Sequence, residues 1–408
     1  MQLDDEARLI RRIARAFSTP DVDVIGVAVS GGGDSMALLH LAAKTGKTIK
    51  AVTVDHGLRA GAAAEAAMVG QMCNELGVAH TILEWRDWDG HGNLQAAARQ
   101  ARYKLMTAWA KDSGVGGVLL GHNKDDIAET YLMRLSRKAG IDGLAMMDTA
   151  FEKDGVHWAR PLCHVSRADL RDYLTRVDVA WADDPSNDDV DFDRVRVRQA
   201  MGQLAEIGLT ADALHHASVA AKKARSALDY YTAVEARAHV QQDQGDLIMA
   251  RHLPIPDDIA RRLRSKALQW IGGLDYPPRQ SSLQHLETGL ALGDQATVAG
   301  CLVSIEGDNL RFARELNAVK MTATTIEAIW DKRWQMDGPH SAELQIRALG
   351  EGIRDCPDWR QMGHPRASIM AGPAIWRGNE LISAPLAGLN DEWTVRIVAD
   401  FHSYLNTH

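Results

Sequence analysis

The sequence predicts an α/β fold: a parallel twisted sheet with helices on both faces, followed by a helical domain and a small mixed α+β C-terminal domain. Three observations carry this. In the first half, short strand-like runs alternate with helix-like stretches, the pattern of a parallel sheet covered by helices. After about residue 200 the chain becomes Ala-rich and helical in character. From about residue 330 Trp, Pro and Gly become frequent and the apolar runs shorten, as in strands between turns.

The strand candidates of the first half are 22–29, 48–54, 78–83, 117–121 and 156–162. The first, second and fourth are rich in Val, Ile or Leu, as strands buried on both faces should be. Between them, 36–43 reads as an apolar helix, 61–76 as a helix stopped by Gly77, and 94–111 as a helix begun by Asn93 as N-cap. Further on, 211–240 and 257–270 read as helices, and 374–376, 381–382 and 393–398 as short strands. With 408 residues and roughly 150 per domain, two or three domains are expected. The pattern changes divide the chain at 1–205, 206–325 and 326–408.

Composition narrows the functional classes. Apolar residues make up 46% and charged residues 25%, which excludes disordered and collagen-like chains. No apolar run approaches the roughly 18 residues of a membrane span, and the start is acidic where a signal peptide would be basic. A cytoplasmic protein without a membrane partner is expected, and nothing points to an obligate protein partner. Cys73, Cys163, Cys301 and Cys356 lie far apart with no C-x-x-C pair, so zinc, iron–sulfur or redox-disulfide chemistry is not expected. The net charge of −8 leaves any nucleic-acid contact to local basic patches.

The most informative segment is the apolar run 24–29 followed by Ser30-Gly31-Gly32-Gly33-Asp34-Ser35 and a helix. Glycines let backbone N–H groups converge on an anion, and the helix N-terminus adds partial positive charge. This is a phosphate cradle, but not a Walker A loop, because the Gly-Lys-Ser/Thr ending is missing. A carboxylate such as Asp34 beside phosphates is repulsive unless a cation lies between them, so Asp34 implies Mg²⁺.

Ser30 to Ser35 resembles the SGGxDS loop of the ATP pyrophosphatases, the PP-loop superfamily with its adenine nucleotide α hydrolase-like fold, which cleave ATP between the α and β phosphates and transfer AMP to an oxygen. Further motifs follow in order: Val54-Asp55-His56-Gly57-Leu58-Arg59, then Gly121-His122-Asn123-Lys124-Asp125-Asp126 with Glu129-Thr130, then Arg160-Pro161-Leu162. All fall at strand C-terminal ends, where open α/β sheets bind ligands. With Asn93, Arg99, Arg102, Tyr103 and Trp181-x-Asp183-Asp184-Pro185-Ser186-Asn187, the set is similar to the tRNA(Ile)-lysidine synthase family. The likeness continues through Pro278-Arg279, Arg314-Glu315, Arg347-Ala348-Leu349-Gly350 and Gly388-Leu389. Departures are Ser136 to Gly140 where the family has an Arg-Gly-Ser-Gly-like turn, Val195 where asparagine is common, and Cys163 where leucine is usual.

The resemblance implies that ATP adenylates C2 of the wobble cytidine in the CAU anticodon of isoleucine tRNA, and that L-lysine then displaces AMP. Such a site must hold pyrophosphate, stabilise charge on the attacked phosphorus and place a cationic amino acid. Ser30, Gly31, Gly32, Gly33 and Ser35 suit the phosphates, Asp34 the metal, and Arg102, or else Arg99, the α-phosphate. Asp55 and His56 are nucleotide contacts or a turn. Asp126 and Glu129 share one helical face and suit the lysine ammonium; an acidic first turn that satisfies the helix dipole is the other reading. His122 is a base or a structural histidine. Arg194, Arg196 and Arg198, and the group Arg261, Arg262, Arg264 and Lys266, are RNA contacts or solvated helix faces. Trp181 is a candidate to receive an unstacked base. The rival readings are a tRNA thiolase-like PP-loop enzyme and a non-catalytic nucleotide-binding module.

Overall fold

The computed structural model describes residues 3–17, 22–57, 61–88, 90–182, 193–390 and 392–407. Leu58, Arg59 and the Asp183 to Asn187 turn lie outside the described residues. The chain forms two compact units, Met1–Arg225 and Ser226–His408.

In the first unit, α1 (Leu3–Ala14) precedes β1 (Val24–Ala28), α2 (Gly33–Ala43), β2 (Thr48–Asp55), α3 (Ala62–Glu75), β3 (Ala79–Glu84), α4 (Leu94–Asp112) and β4 (Gly117–Leu119). Then come α5 (Lys124–Ser136), α6 (Ile141–Leu144), β5 (Ala150–Lys153), β6 (Val156–Ala159), α7 (Arg167–Arg176), α8 (Asp193–Glu206) and α9 (Ala211–His239), whose last turns belong to the second unit. The strands form one sheet in the order β3-β2-β1-β4-β6-β5. β1 pairs in parallel with β2 on one side, Val27 opposite Ala51, and with β4 on the other, Val27 opposite Leu119. The order therefore reverses at β1, and a crevice opens beyond the C-terminal ends of β1 and β4.

All five strands expected in this half are present. β5 is an additional edge strand, antiparallel to β6 and joined to it through Asp154 and Gly155. Its sequence, Ala-Phe-Glu-Lys, carries only one large apolar side chain, so no local pattern announces it. The side chains alternate between two cores, as the period of two requires. Ile25, Val27, Ile49, Ala51 and Leu119 pack with Leu38, Leu39, Val69 and Tyr173. Ala28, Val52, Val118, Leu120 and Trp158 pack with Tyr103, Met106 and Trp109 of α4.

The second unit begins with β7 (Val240–Asp243), β8 (Asp246–Ala250), α10 (Asp257–Gly272), α11 (Gln280–Leu292), β9 (Gln295–Val298), β10 (Cys301–Glu306) and β11 (Asn309–Arg314). It continues with α12 (Leu316–Val319), β12 (Ala323–Thr325), β13 (Trp334–Asp337), β14 (Leu344–Ala348), α13 (Arg366–Ala371), β15 (Pro373–Arg377), β16 (Glu380–Ser383), β17 (Thr394–Ile397) and α14 (Phe401–Thr407). The helices read from sequence at 211–240 and 257–270 are present as α9 and α10. With them stands a five-stranded antiparallel sheet, β7-β8-β11-β10-β9, that the sequence reading does not contain. These strands are four to six residues long and interleave Gln, Asp, Ser and Arg with the apolar positions, so they blend into loop composition. Their buried face, with Val303 and Phe312, packs on Leu263, Leu268 and Ile271 of α10. A second sheet, β12-β14-β15-β16, and the pair β13-β17 contain the short strands expected near the C-terminus.

Leu38, in the middle of α2, has no exposed surface and belongs to the core beneath the loop that follows β1. Leu38→Ala should cost about 2–5 kcal/mol, read as a lowered urea midpoint of the first unit's transition.

Candidate active site at the ends of β1 and β4

The loop after β1 is held by its two serines. Ser30 N–H donates to Ser35 Oγ (3.1 Å), Ser35 Oγ donates to the Gly32 carbonyl (2.9 Å), and the two hydroxyls lie 3.2 Å apart. Gly31 has φ +89°, a left-handed conformation that L side chains rarely adopt. On one side the loop is closed by protein: Ala182 N–H donates to the Gly31 carbonyl (2.9 Å), and the Trp181 ring stands against Gly33. Trp181 packs against the first-unit core, which places it behind the loop instead of free to receive a base. On the other side the loop is open, since a Cβ on Gly32 would meet nothing nearer than Ser30 Oγ at 3.8 Å. No side chain caps the N-terminus of α2, which leaves its first amides to an anion. Gly121, beyond β4, lets the two loops touch: a Cβ there would sit 3.2 Å from Ser35 Cα.

Asp34 lies in the first turn of α2. Its Oδ2 is 3.6 Å from Arg167 Nε, and its buried Oδ1 has no hydrogen-bond partner. Burial pushes its carboxyl above the usual range and Asp125 adds to this, while Arg167 and the neighbouring Asn123 side chain oppose it. An orphaned carboxylate oxygen beside an open phosphate cradle fits a hard divalent cation. Among the described residues no group of three His, Cys, Asp or Glu side chains is placed to hold a metal. Phosphate oxygens would have to supply the other ligands, as is common for Mg²⁺.

Asn123 caps α5 in a reciprocal box: its Oδ1 accepts from Asp126 N–H (2.9 Å) and its own N–H donates to Asp126 Oδ2 (3.0 Å). This fixes Asp126 so that Oδ1 faces Arg167 at 3.3 Å. Glu129, one turn on, is completely buried. Its carboxylate receives Arg167 (3.2 Å), Arg194 (3.0 Å) and Arg198 (2.9 Å). The backbone N–H of Arg167 also donates to Asp125 Oδ2 (2.8 Å).

This corrects three assignments made from sequence. Glu129 is enclosed by guanidinium groups and has no open face for an ammonium. Arg194 and Arg198 turn inward onto it, because a buried carboxylate must be paired. Arg196 pairs with Asp193 on the outer side of α8, whose Val195 is buried.

Arg167 is the residue the sequence reading misses. A signal for it exists: Ser166 is an N-cap, and an arginine at the first helical position stands at the unfavourable end of the dipole, which calls for local carboxylates.

A cavity beside the loop is lined by His56, Ala98, Arg99, Arg102, Tyr103, Leu120 and His122. Arg102 and His56 line this same cavity. Asp55 instead serves the turn: its Oδ1 accepts from Gly57 N–H (2.8 Å), and its Oδ2 lies 3.6 Å from Arg86. His122 is held well below the usual imidazole range by burial, then by Arg160, Arg102, Arg194 and Arg99, so it is neutral at pH 7. All four cysteines are buried, and burial pushes the Cys73 and Cys163 thiols up to about 11.

In the second unit, the basic residues of α10 do not form one patch. Arg262 is buried against Asp258 (2.8 Å) and Asp229 (3.2 Å). Arg261 pairs with Asp258 (2.8 Å), Arg264 donates to the Arg251 carbonyl (3.1 Å), and Lys266 lies over the Tyr404 ring. The RNA assignment of this cluster is corrected for Arg262, whose charge is spent on holding the helix.

Residues 5–205 match the family model of the PP-loop domain. Over 410 residues the chain is 43% identical to tRNA(Ile)-lysidine synthase of Ruegeria pomeroyi, covering 98% of each protein. It is 33% identical over 420 residues to that of Brucella canis, covering 97% of this chain and 93% of the relative. Among solved structures, the U34-tRNA thiolase NcsA from Methanococcus maripaludis with its [4Fe-4S] cluster aligns with 53% of this chain and 77% of its own. The TM-score is 0.44 at 16% identity, too low to carry an argument.

Two outcomes follow from the electrostatics. Since the Asp34 pKa is raised on folding, its contribution to stability falls as pH rises from the unfolded pKa through the folded one, and above that the buried charge is a standing cost. Asp34→Asn should therefore raise the melting midpoint at pH 7.5 by about 1–3 °C, yet weaken Mg²⁺-dependent ATP binding by about tenfold or more, measured by calorimetry. Arg167→Gln should cut pyrophosphate release by about 100-fold. Arg167→Lys should not restore it, because one ammonium does not span three carboxylates.

Proposed function

The chain belongs to the tRNA(Ile)-lysidine synthase family, and from that membership we propose that it adenylates the wobble cytidine of isoleucine tRNA and joins L-lysine to it. The observation that carries the reading is the open, uncapped loop at Gly31 to Gly33, with the orphaned Asp34 oxygen on one side and the arginine-lined cavity on the other. As a family member it is an ATP-using ligase that forms a carbon–nitrogen bond.

In the first step the C2 oxygen of the cytidine in the CAU anticodon attacks the α-phosphorus of ATP, and the bond to the β-phosphate breaks. Pyrophosphate leaves into the cradle of Ser30, Gly31, Gly32, Gly33 and Ser35, where the amides of α2 face it. Asp34, together with the phosphates, would hold Mg²⁺, which when bound would supply charge neutralisation of the leaving group. Arg102 offers its guanidinium to the α-phosphate, and His56 lies in the same cavity. In the second step the lysine ε-ammonium loses one proton to solvent to become the nucleophilic amine, its nitrogen attacks C2, the C2–O bond breaks, AMP leaves with that oxygen, and the nitrogen gives a second proton to solvent. His122 is neutral, and burial and the surrounding arginines oppose its protonation, which favours its structural reading.

The lysine ammonium is assigned to the first turn of α5, where the Asp126 side chain is 14% exposed against 1% for Glu129. Burial pushes the Asp126 carboxyl up and Glu129 adds to this, while Arg194, the Asn123 amide and Arg167 oppose it; a further cation beside it would favour the charged form. Asp126 presents Oδ1 to the ammonium, while Glu129 acts behind it by holding the arginines. We assign tRNA contact also to the regions 206–325 and 326–408, and a cytoplasmic setting to the whole. Among the described residues no helix is long and apolar enough to cross a membrane.

Labelled lysine incubated with the protein, ATP, Mg²⁺ and isoleucine tRNA bearing a CAU anticodon should appear on the RNA; no label on any tRNA would refute the reading. In the same assay Asp126→Asn should raise the KM for lysine by about 10- to 100-fold and leave that for ATP within about twofold.

A further inference from the structure

We propose that α1 and the cavity beside it bind backbone phosphates of the RNA substrate, at a site separate from the one that takes ATP. The inference rests on the reading that this chain acts on RNA. Within its 12 residues α1 carries Arg8, Arg11 and Arg12, and Arg15 follows in the turn just past its end, all four exposed. Arg8 and Arg12 follow the i, i+4 spacing of one helical face. No carboxylate among the described residues pairs with any of the four. Unpaired arginines in a row repel one another, and an arrangement of this kind is relieved by an anion.

Arg12 and Arg15 open onto a cavity whose wall also includes Thr149, Arg160, Pro161 and His164, and no carboxylate lines it. Arg160, only 7% exposed, adds a further fixed positive charge at the cavity wall, its guanidinium stacked on the Phe151 ring and its Nη1 donating to the Asp148 carbonyl. His164 lies 3.0 Å from His215, and its pKa is pushed down to about 4 by burial, then by His215, Arg12, Lys124 and Lys222. The ring is neutral and the field around it positive. Asp148, the carboxylate adjoining Thr149, is already held by Lys222 (3.0 Å) and Arg225 (3.2 Å).

This lining shares no residue with the cavity of His56, Arg102 and His122. Two features favour a polymer over free phosphate. The basic row runs from Arg8, inside α1, to Arg15, in the turn past its end, a longer stretch than one phosphate can engage. The arginines are also solvent-exposed, as contacts to a large ligand must be.

The test is binding of isoleucine tRNA to the full-length protein by fluorescence anisotropy between 50 and 200 mM salt, for wild type and Arg12→Gln/Arg15→Gln. The double variant should bind about tenfold more weakly, and the slope of log affinity against log salt should shrink by about 1.5–2. The KM for ATP and for lysine should not change, and Arg12→Lys/Arg15→Lys should recover the slope. An unchanged slope in the glutamine variant overturns the inference while leaving lysidine formation intact. Inorganic phosphate binding that is lost in the variant, with the RNA slope unchanged, would give the cavity to free phosphate and also overturn it. If the wild type binds no tRNA, the functional reading itself fails, and the inference with it.

Discussion

The Glu129 carboxylate has no exposure to water, and three arginines from two helices close on it. Much of the site depends on this one constraint. A bare carboxylate at that depth would be far too costly to keep ionised, so α7 must deliver Arg167 and α8 must deliver Arg194 and Arg198. Because Arg167 also reaches Asp34, Asp125 and Asp126, the anion under α5 fixes the position of α7 against the first turns of α2 and α5. The phosphate loop and the proposed lysine site are thereby parts of one charged cluster.

The sheet supplies the rest of the geometry. Reversal of strand order at β1 opens the crevice, and the strand ends bring Gly121 against the backbone of Asp34 and Ser35. The lack of a side chain at Gly121 is a packing requirement, since the neighbouring atoms are backbone and have little room to yield. The cap at Asn123 converts that closeness into an oriented carboxylate. Helix-cap chemistry, usually discussed as local stability, here aims Asp126.

The arginines divide by environment more than by sequence neighbourhood. Those of α8 and Arg262 of α10 answer buried or partly buried acids, and their charge is internal to the protein. Those of α1 meet no described carboxylate and stand at a cavity without acids. An overall charge of −8 conceals this division, which is why net charge says little about a polyanionic ligand.

The sequence alone determined the α/β class, the order of the parallel strands along the chain and the glycine loop between β1 and α2. Each of these rests on a local pattern: runs of β-branched residues, glycines before a helix, a capping asparagine. The edge strand β5 and the sheet β7-β8-β11-β10-β9 were not legible, because strands that interleave polar residues gain their stability from partners distant in the chain. Nor was the fate of the charges. Glu129 and Arg194 are 65 residues apart in sequence, and only tertiary packing turns the one from a candidate ligand for ammonium into an anion enclosed by arginines, because pairing of buried charge is decided by what lies within a few ångströms in space.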